Sequence, residues 1–271
     1  MAGEALALWH EWNSVHSYKV RIVLAEKNLA WTSHPLELLR FEHLTPDYLA
    51  INPDGVVPTL MHEGSALFDS TPICEYLDEC FGFTEPPLMP ADAYGRLQVR
   101  RWLKYHDDIA HAAVRDASFQ LLYKPVLAAM PRNALEALVA RHPRPERRRK
   151  FLDGANPCID WDVLLASIRA SLAVAQRIDA RLVANGGVTQ WLEGAAFTLA
   201  DVAMAPFAER LANLGCGFVW QGLDAGDAWS QRLLARHSVQ STRPPPAFRL
   251  KIPDAATIEE LRTRLAVRAA D

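Results

Sequence analysis

The spacing of apolar and polar positions changes character near residue 80. Before it, short apolar runs and helical spacing follow one another in the order β-α-β-α-β-β-α. Val20, Val23 and Leu24 recur at helical spacing and predict a helix over Ser17–Lys27, and Trp31–Leu38 fits the second strand. The runs Val56-Val57-Pro58-Thr59-Leu60 and Ala66-Leu67-Phe68 flank Glu63-Gly64, which is a hairpin signal. Thr71–Leu77 reads as a helix with Pro72 in its first turn. Phe81–Asp92 carries three prolines and a glycine and reads as a linker. Beyond it the spacing is almost entirely helical, with one long helix expected over Leu97–Val114 and another over Ile159–Val183. The expected organisation is a mixed α/β domain over residues 1–82, a linker over 83–92 and an all-helical domain over 93–271.

One stretch departs from this pattern. Within Lys124–Asn156, residues Arg141–Lys150 are basic and broken by Pro143 and Pro145. Alone, such a run reads as a nucleic-acid or membrane patch. It is short and the chain is otherwise acidic, so it is read as a solvated connector that extends a loop between two helices. Thr198-x-x-Asp201 places a hydroxyl at the N-cap and a carboxylate at N3, so Asp201 is read as structural. Pro206 is expected to kink that helix or end it near Ala205.

Composition narrows the function classes. A net charge of −3 gives no electrostatic reason to expect nucleic acid or an anionic membrane. There is no signal-like segment and no long apolar span, so no membrane association is expected. The four cysteines (Cys74, Cys80, Cys158, Cys216) show no metal or CxxC spacing and read as reduced thiols of a cytoplasmic protein. No metal cluster, phosphate loop or hydrolase triad is present in the sequence.

The candidate chemistry begins at Asp69-Ser70, where strand gives way to helix. A carboxylate, a hydroxyl and free backbone N–H groups there form a socket for a small zwitterion. Pro58 at a strand mouth cannot donate to a sheet ladder. If the Val57-Pro58 bond is cis, the backbone of Val57 is turned outward, where it can pair with an extended peptide.

With Leu6–His10 as a first strand, Asn13–Leu29 as a first helix, Glu42–Tyr48, and the late run Phe197–Ala203, this pattern resembles the glutathione S-transferases. The markers sample the chain from about residue 6 to 210; the tail after Trp229 carries little signal. The resemblance implies a thioredoxin-like first domain, glutathione as co-substrate without a metal, and a dimer whose partner is either an identical or a different chain. It also implies that Val57-Pro58 pairs with the cysteinyl backbone of glutathione and that Asp69-Ser70 holds the γ-glutamyl end. His43 matches the position that contacts the glycine carboxylate; read without the family it is a surface histidine.

Such an enzyme must keep a thiol ionised. Lowering a thiol pKa from about 8.5 by about two units needs roughly 2.7 kcal/mol, which one or two charge-assisted hydrogen bonds supply. The donor belongs where the first strand meets the first helix, beside the partial positive charge of the helix N-terminus. Asn13, Ser14, His16 and Ser17 are the candidates. Ser14 matches the serine of the theta and zeta classes and ranks first; Ser17 ranks second. The alternative for either is a plain helix N-cap. His16 either polarises the thiol or a substrate carbonyl, or is a half-exposed helix-start residue. Trp12, Trp102, Tyr105, Phe119 and Tyr123 either line an acceptor pocket or pack in the core.

Ile51–Pro58, His62-Glu63-Gly64, Asp69–Leu77, Pro90-Ala91-Asp92, Arg101–Tyr105 and the insert with Arg144-Pro145-Glu146 are similar to bacterial glutathione-dependent β-etherases that cleave lignin-derived aryl ethers. This likeness implies displacement of a phenol from a β-aryl ether ketone, a hydrophobic aromatic electrophile, by glutathione thiolate. The relatives carry asparagine where this chain has His16. A general conjugating or dehalogenating transferase, or a non-catalytic subunit of a heterodimer, is the alternative.

Overall fold

The structure is a computed structural model that describes residues 6–82 and 87–267. Residues 83–86 of the expected linker lie outside the described residues. Strand β1 (Leu6–His10) leads into helix α1 (Val15–Glu26), strand β2 (Trp31–Pro35), helix α2 (Pro46–Ile51), the hairpin β3 (Thr59–His62) and β4 (Ser65–Phe68), and helix α3 (Ser70–Cys80). The sheet order is β2-β1-β3-β4. β1 runs parallel to β2 and antiparallel to β3, with Leu8 opposite Leu60, both fully buried. Glu63 and Gly64 both take positive φ, as a two-residue hairpin turn requires. The Val57-Pro58 peptide is cis. β2 stops at Pro35 and not at Leu38, because Pro35 has no N–H for a ladder and the chain turns at Leu38–Arg40.

The remainder is helical. Helix α4 (Ala93–Tyr105) is capped by Asp92, which accepts from Gly95 N at 2.8 Å. It runs through a π-helical turn (His106–Ala110) into α5 (His111–Ser118) and a second π-helical turn (Phe119–Tyr123). The single helix expected over Leu97–Val114 is therefore interrupted. His106 and Asp107, the first residues of the His106–Ala110 turn, contact Lys19 of α1. Then follow α6 (Lys124–Ala128), α7 (Arg132–Ala140), α8 (Pro145–Gly154), α9 (Trp161–Ala184), α10 (Leu199–Asn213), α11 (Asp224–Ala235), α12 (His237–Ser241) and α13 (Ala255–Val267).

One expectation needs correction here, and one of two alternatives falls away. The region 124–156 holds three helices, so it is no open connector. Pro145 occupies the first turn of α8, where its missing N–H costs nothing, while Arg147 and Arg149 remain exposed. Leu135 and Val139, one turn apart on α7, join Leu127 and Phe41 in a small second core. Pro206 does not end α10, which continues to Asn213. Proline removes only one N–H, and α10 is buried from Leu199 to Leu211, so packing on all sides sustains the helix through it.

Helix α1 is buried from Ser17 to Leu24, covered by the sheet, α3 and the helical part of the chain. Three contacts lock the two parts together. Tyr18 donates to the Val239 carbonyl at 2.6 Å. Arg236 pairs with Glu26 at 2.6 Å. Lys27 and Asp78, both buried, approach to 2.6 Å, and Asp78 also accepts the backbone N–H groups of Leu88 and Met89. No described helix is long and apolar enough to cross a membrane. All four cysteines are unpaired, Cys80 and Cys158 exposed, Cys74 and Cys216 buried.

The Thr198/Asp201 capping box is formed, and Asp201 reaches further than the motif requires. Its carboxylate accepts from Leu192 N at 3.0 Å, Thr198 N at 3.1 Å and Trp229 Nε1 at 2.8 Å. Asp201→Ala leaves three buried donors unpaired. We expect it to lower the unfolding free energy by about 3 kcal/mol or more, read as a shifted urea midpoint; a change under about 1 kcal/mol refutes this role.

Candidate functional site

The loop between β1 and α1 is built from inside. Arg21, fully buried on α1, donates to the carbonyls of Glu11 at 3.1 Å and Trp12 at 2.8 Å and contacts His10 Nδ1 at 3.2 Å. Arg210 of α10 donates to the carbonyl of Asn13. Asn13 spends its amide on Glu11 Oε1 at 3.0 Å and the Phe248 carbonyl at 2.9 Å. Ser14 follows as the N-cap of α1 in extended conformation, its Oγ accepting from Ser17 N at 3.2 Å. It stays half-exposed in a shallow depression lined by Trp12, Tyr18, Arg210 and Pro244. Ser17 is fully buried, and its Oγ accepts from Glu11 N at 3.4 Å. The second-ranked serine is thus enclosed by the packing around α1.

His16, half-exposed, sets its Nδ1 3.3 Å from the Oγ of buried Ser70. Asp69, at φ 63°, is exposed and immediately precedes α3. Thr71 bonds both Lys19 Nζ at 3.0 Å and Asp107 Oδ2 at 2.7 Å. Lys19, fully buried, completes the bridge with Asp107 Oδ1 at 2.8 Å and His106 Nδ1 at 3.3 Å. Burial alone raises the Asp107 pKa, but bonds from His106 and Lys19 outweigh it and hold the carboxyl well below its usual range. Burial, then Lys19, pushes His16 down to about 3 and His106 to about 4, so both are neutral at pH 7. His16, His106 and Asp107 bring one ligand atom each within 4.8 Å of one another. The Lys19 ammonium already supplies the positive charge there, and a metal ion would have to displace it.

The loop before β3 is ordered by Tyr48, whose hydroxyl donates to the Val56 carbonyl at 2.5 Å, and by Asn52 Nδ2 on the same carbonyl at 3.0 Å. His43 lies in a short 3₁₀ turn beside Phe41, which also packs on His142 at 5.2 Å and Phe151 at 4.9 Å. Its Nδ1 is buried without a partner among the described residues. Burial, then His142, lowers its pKa to about 4.

The five aromatic residues do not share one wall. Trp12 sits at the Ser14 loop, 6.0 Å from the ring of Phe248. Trp102 is buried and donates to Glu193 at 2.6 Å, while Tyr105 lies under Arg177 at 3.9 Å. Phe119 packs against the second core, and Tyr123 against the main one. Helix geometry separates them: residues 102 and 105 face α9, whereas 119 faces α6 and α8 across a π-helical turn. The sequence reading missed Lys19, Arg21, His106, His111, Arg210 and Phe248. Two cations inside an apolar helical run were the available signal for Lys19 and Arg21.

Residues 13–80 match the family described as Glutathione S-transferase, N-terminal domain. The chain is 27% identical over 233 residues to Protein LigF of Sphingobium sp. (strain NBRC 103272 / SYK-6), spanning 83% of this chain and 88% of that protein. The crystal structure of beta-etherase LigF from Sphingobium sp. strain SYK-6 has a similar fold, with a TM-score of 0.76 at 26% identity, covering 88% of this chain and 98% of that one. A maleylacetoacetate isomerase of Pseudomonas aeruginosa is 42% identical over 98 residues, 35% of this chain and 45% of that protein.

The buried histidines make stability pH-dependent. Burial lowers His10 to about 3 and His106 to about 4 from 6.5. As pH falls below 6.5 the unfolded chain takes up protons that the folded chain refuses, so stability falls, by at most about 1.4 kcal/mol per pH unit for each such histidine. Asp201, raised to about 6 by burial, acts oppositely: its contribution is present below 3.8 and lost as pH rises through 6. Urea midpoints should fall from pH 6.5 to 4.5, and more shallowly in His106→Gln; identical slopes exclude His106 as a source.

Proposed function

The chain belongs to the glutathione S-transferase superfamily, and we propose from this premise that it is a glutathione-dependent β-etherase. The observation that carries the reading is likeness to beta-etherase LigF over most of both chains, in sequence and in fold. In this reading residues 1–82 form the glutathione domain and 93–271 the acceptor domain. The γ-glutamyl end sits at Asp69-Ser70, the cysteinyl backbone against Val57, and the glycine carboxylate near His43. The exposed carboxylate of Asp69 beside the buried hydroxyl of Ser70 fits such a ligand.

Ser14 is the proposed thiol-activating donor. Its Oγ accepts from Ser17 N, which leaves its O–H free to donate to a thiolate at the N-terminus of α1. The thiolate attacks the carbon bearing the aryloxy group, next to a ketone. A C–S bond forms, the C–O bond breaks, and the electron pair leaves on the phenolate, which takes a proton from water. Bound alignment of the two reactants supplies much of the acceleration. A dimer is proposed on the exposed apolar side chains Tyr94, Leu97 and Ile109, which lie along the α4–α5 stretch; the partner is an identical chain or a related one. Four unpaired thiols support a cytoplasmic setting. The stronger local identity to maleylacetoacetate isomerase falls on a shorter stretch and favours, as a second reading, a transferase acting on another electrophile.

Phenol release from a fluorogenic β-aryl ether ketone under single-turnover conditions tests the reading. Ser14→Ala should release phenol about 100-fold more slowly, the equivalent of roughly 2.7 kcal/mol, with glutathione affinity changed less than about threefold. Wild-type protein that binds glutathione and releases no phenol overturns the etherase assignment.

A further inference from the structure

His111 is a hydrogen-bonding group that no step above uses. It is the first residue of α5, directly after the π-helical turn His106–Ala110. Its ring centroid lies 4.4 Å from that of His16 in an edge-to-face arrangement. The neighbouring imidazoles are engaged: His16 Nδ1 faces Ser70 Oγ, and His106 Nδ1 is shared by Lys19 and Asp107. Neither ring nitrogen of His111 meets a hydrogen-bond partner among the described residues, and the ring is half-buried.

Arg210 links this ring electrostatically to the Ser14 turn. Its guanidinium donates to the Asn13 carbonyl, and its charge also acts on His111. Burial, then Arg115, Lys19 and Arg210, lower the His111 pKa against the opposing charge of Asp107, so the ring is neutral at pH 7 and carries one N–H. Arg115, Lys19 and Arg210 make the local field positive, and the unpaired N–H sits on a half-buried ring of α5 beside His16 of α1.

We propose that His111 reads the carbonyl oxygen of the electrophile, and that this residue is what lets the cleft select the ketone over an analogue without it. The inference rests on the glutathione-transferase reading and deepens it. Displacement at a carbon next to C=O draws negative charge onto the carbonyl oxygen in the transition state, and a fixed N–H in a positive field stabilises it. The histidine proton is not transferred: the C–S bond forms, the C–O bond breaks toward the phenolate, and the ketone is retained in the product. An analogue with methylene in place of the carbonyl leaves the donor unpaired and is rejected.

The test is binding without turnover. Affinities of 2-phenoxyacetophenone and of its methylene analogue are measured for the full chain with and without saturating S-methylglutathione, in wild type, His111→Phe and His111→Gln. Circular dichroism checks that each variant is folded. Wild type should prefer the ketone about tenfold, equivalent to about 1.4 kcal/mol. His111→Gln, which keeps an N–H donor, should retain most of the preference. His111→Phe, which keeps the aromatic contact with His16, should reduce it to near one. His111→Ala gives the same comparison if the phenylalanine variant does not fold. A wild-type ratio near one, or a ratio kept in His111→Phe, overturns the proposal. Ketone preference without phenol release overturns the etherase reading alone, and phenol release with a ratio near one overturns this inference alone.

Discussion

A charge buried without a carboxylate in direct contact among the described residues governs the site: the guanidinium of Arg21. It has no exposed surface and is held by oxygens of the backbone, the carbonyls of Glu11, Trp12 and Thr242, together with His10 Nδ1. Trp12 and Tyr18 add their ring faces at 4.9 and 5.4 Å. Burial lowers its pKa to about 10, so it remains charged at neutral pH. Removing such a group strands the buried Thr242 carbonyl and the part-buried carbonyls of Glu11 and Trp12 at once, and an unpaired buried acceptor costs about 1–3 kcal/mol. The irregular course of the chain from β1 into α1, and so the position of Ser14, depends on this one side chain.

The same helix carries a second buried cation with a different task. Lys19 reaches Thr71 at the start of α3 and His106 and Asp107 in the π-helical turn. Arg21 shapes one wall of the cleft, while Lys19 sets the distance to the other. His106 and Asp107 stand at the start of the π-helical turn, and His111, whose ring meets His16, directly follows it. The imidazoles of His16, His106 and His111 are held neutral by burial first and by the charge of Lys19 among others, since both disfavour protonation.

The opposite rim is held by apolar contact. Phe41 takes a left-handed backbone conformation at φ 57° and seats its ring among Leu127, Leu135 and Val139. Helix α8 approaches closely enough that a side chain at Gly154 would meet Phe119 at 2.7 Å. The basic insert thereby serves as a brace for the turn that carries His43, while Arg144, Arg147 and Arg149 face water.

What was legible in the sequence was local. The Glu63-Gly64 hairpin, the Asp69-Ser70 junction, the Thr198/Asp201 capping box and the order of strands and helices each depend on residues a few positions apart, so turn chemistry and hydrophobic period suffice to read them. Ser14 is the N-cap of α1 for the same reason. The roles of Lys19, Arg21 and His111, the burial of Ser17 and the scattering of the five aromatic residues were not legible. Their partners lie on distant segments: Thr242 for Arg21, Asp107 for Lys19, His16 for His111. Pro206 and Pro145 show the same limit from the other side, since tertiary burial sustains one helix through a proline and first-turn geometry starts another at one. Local pattern determined which elements form. Only the packing of α1 between the sheet and the helices decided which polar groups lose water, and that desolvation is what turns side chains into a site.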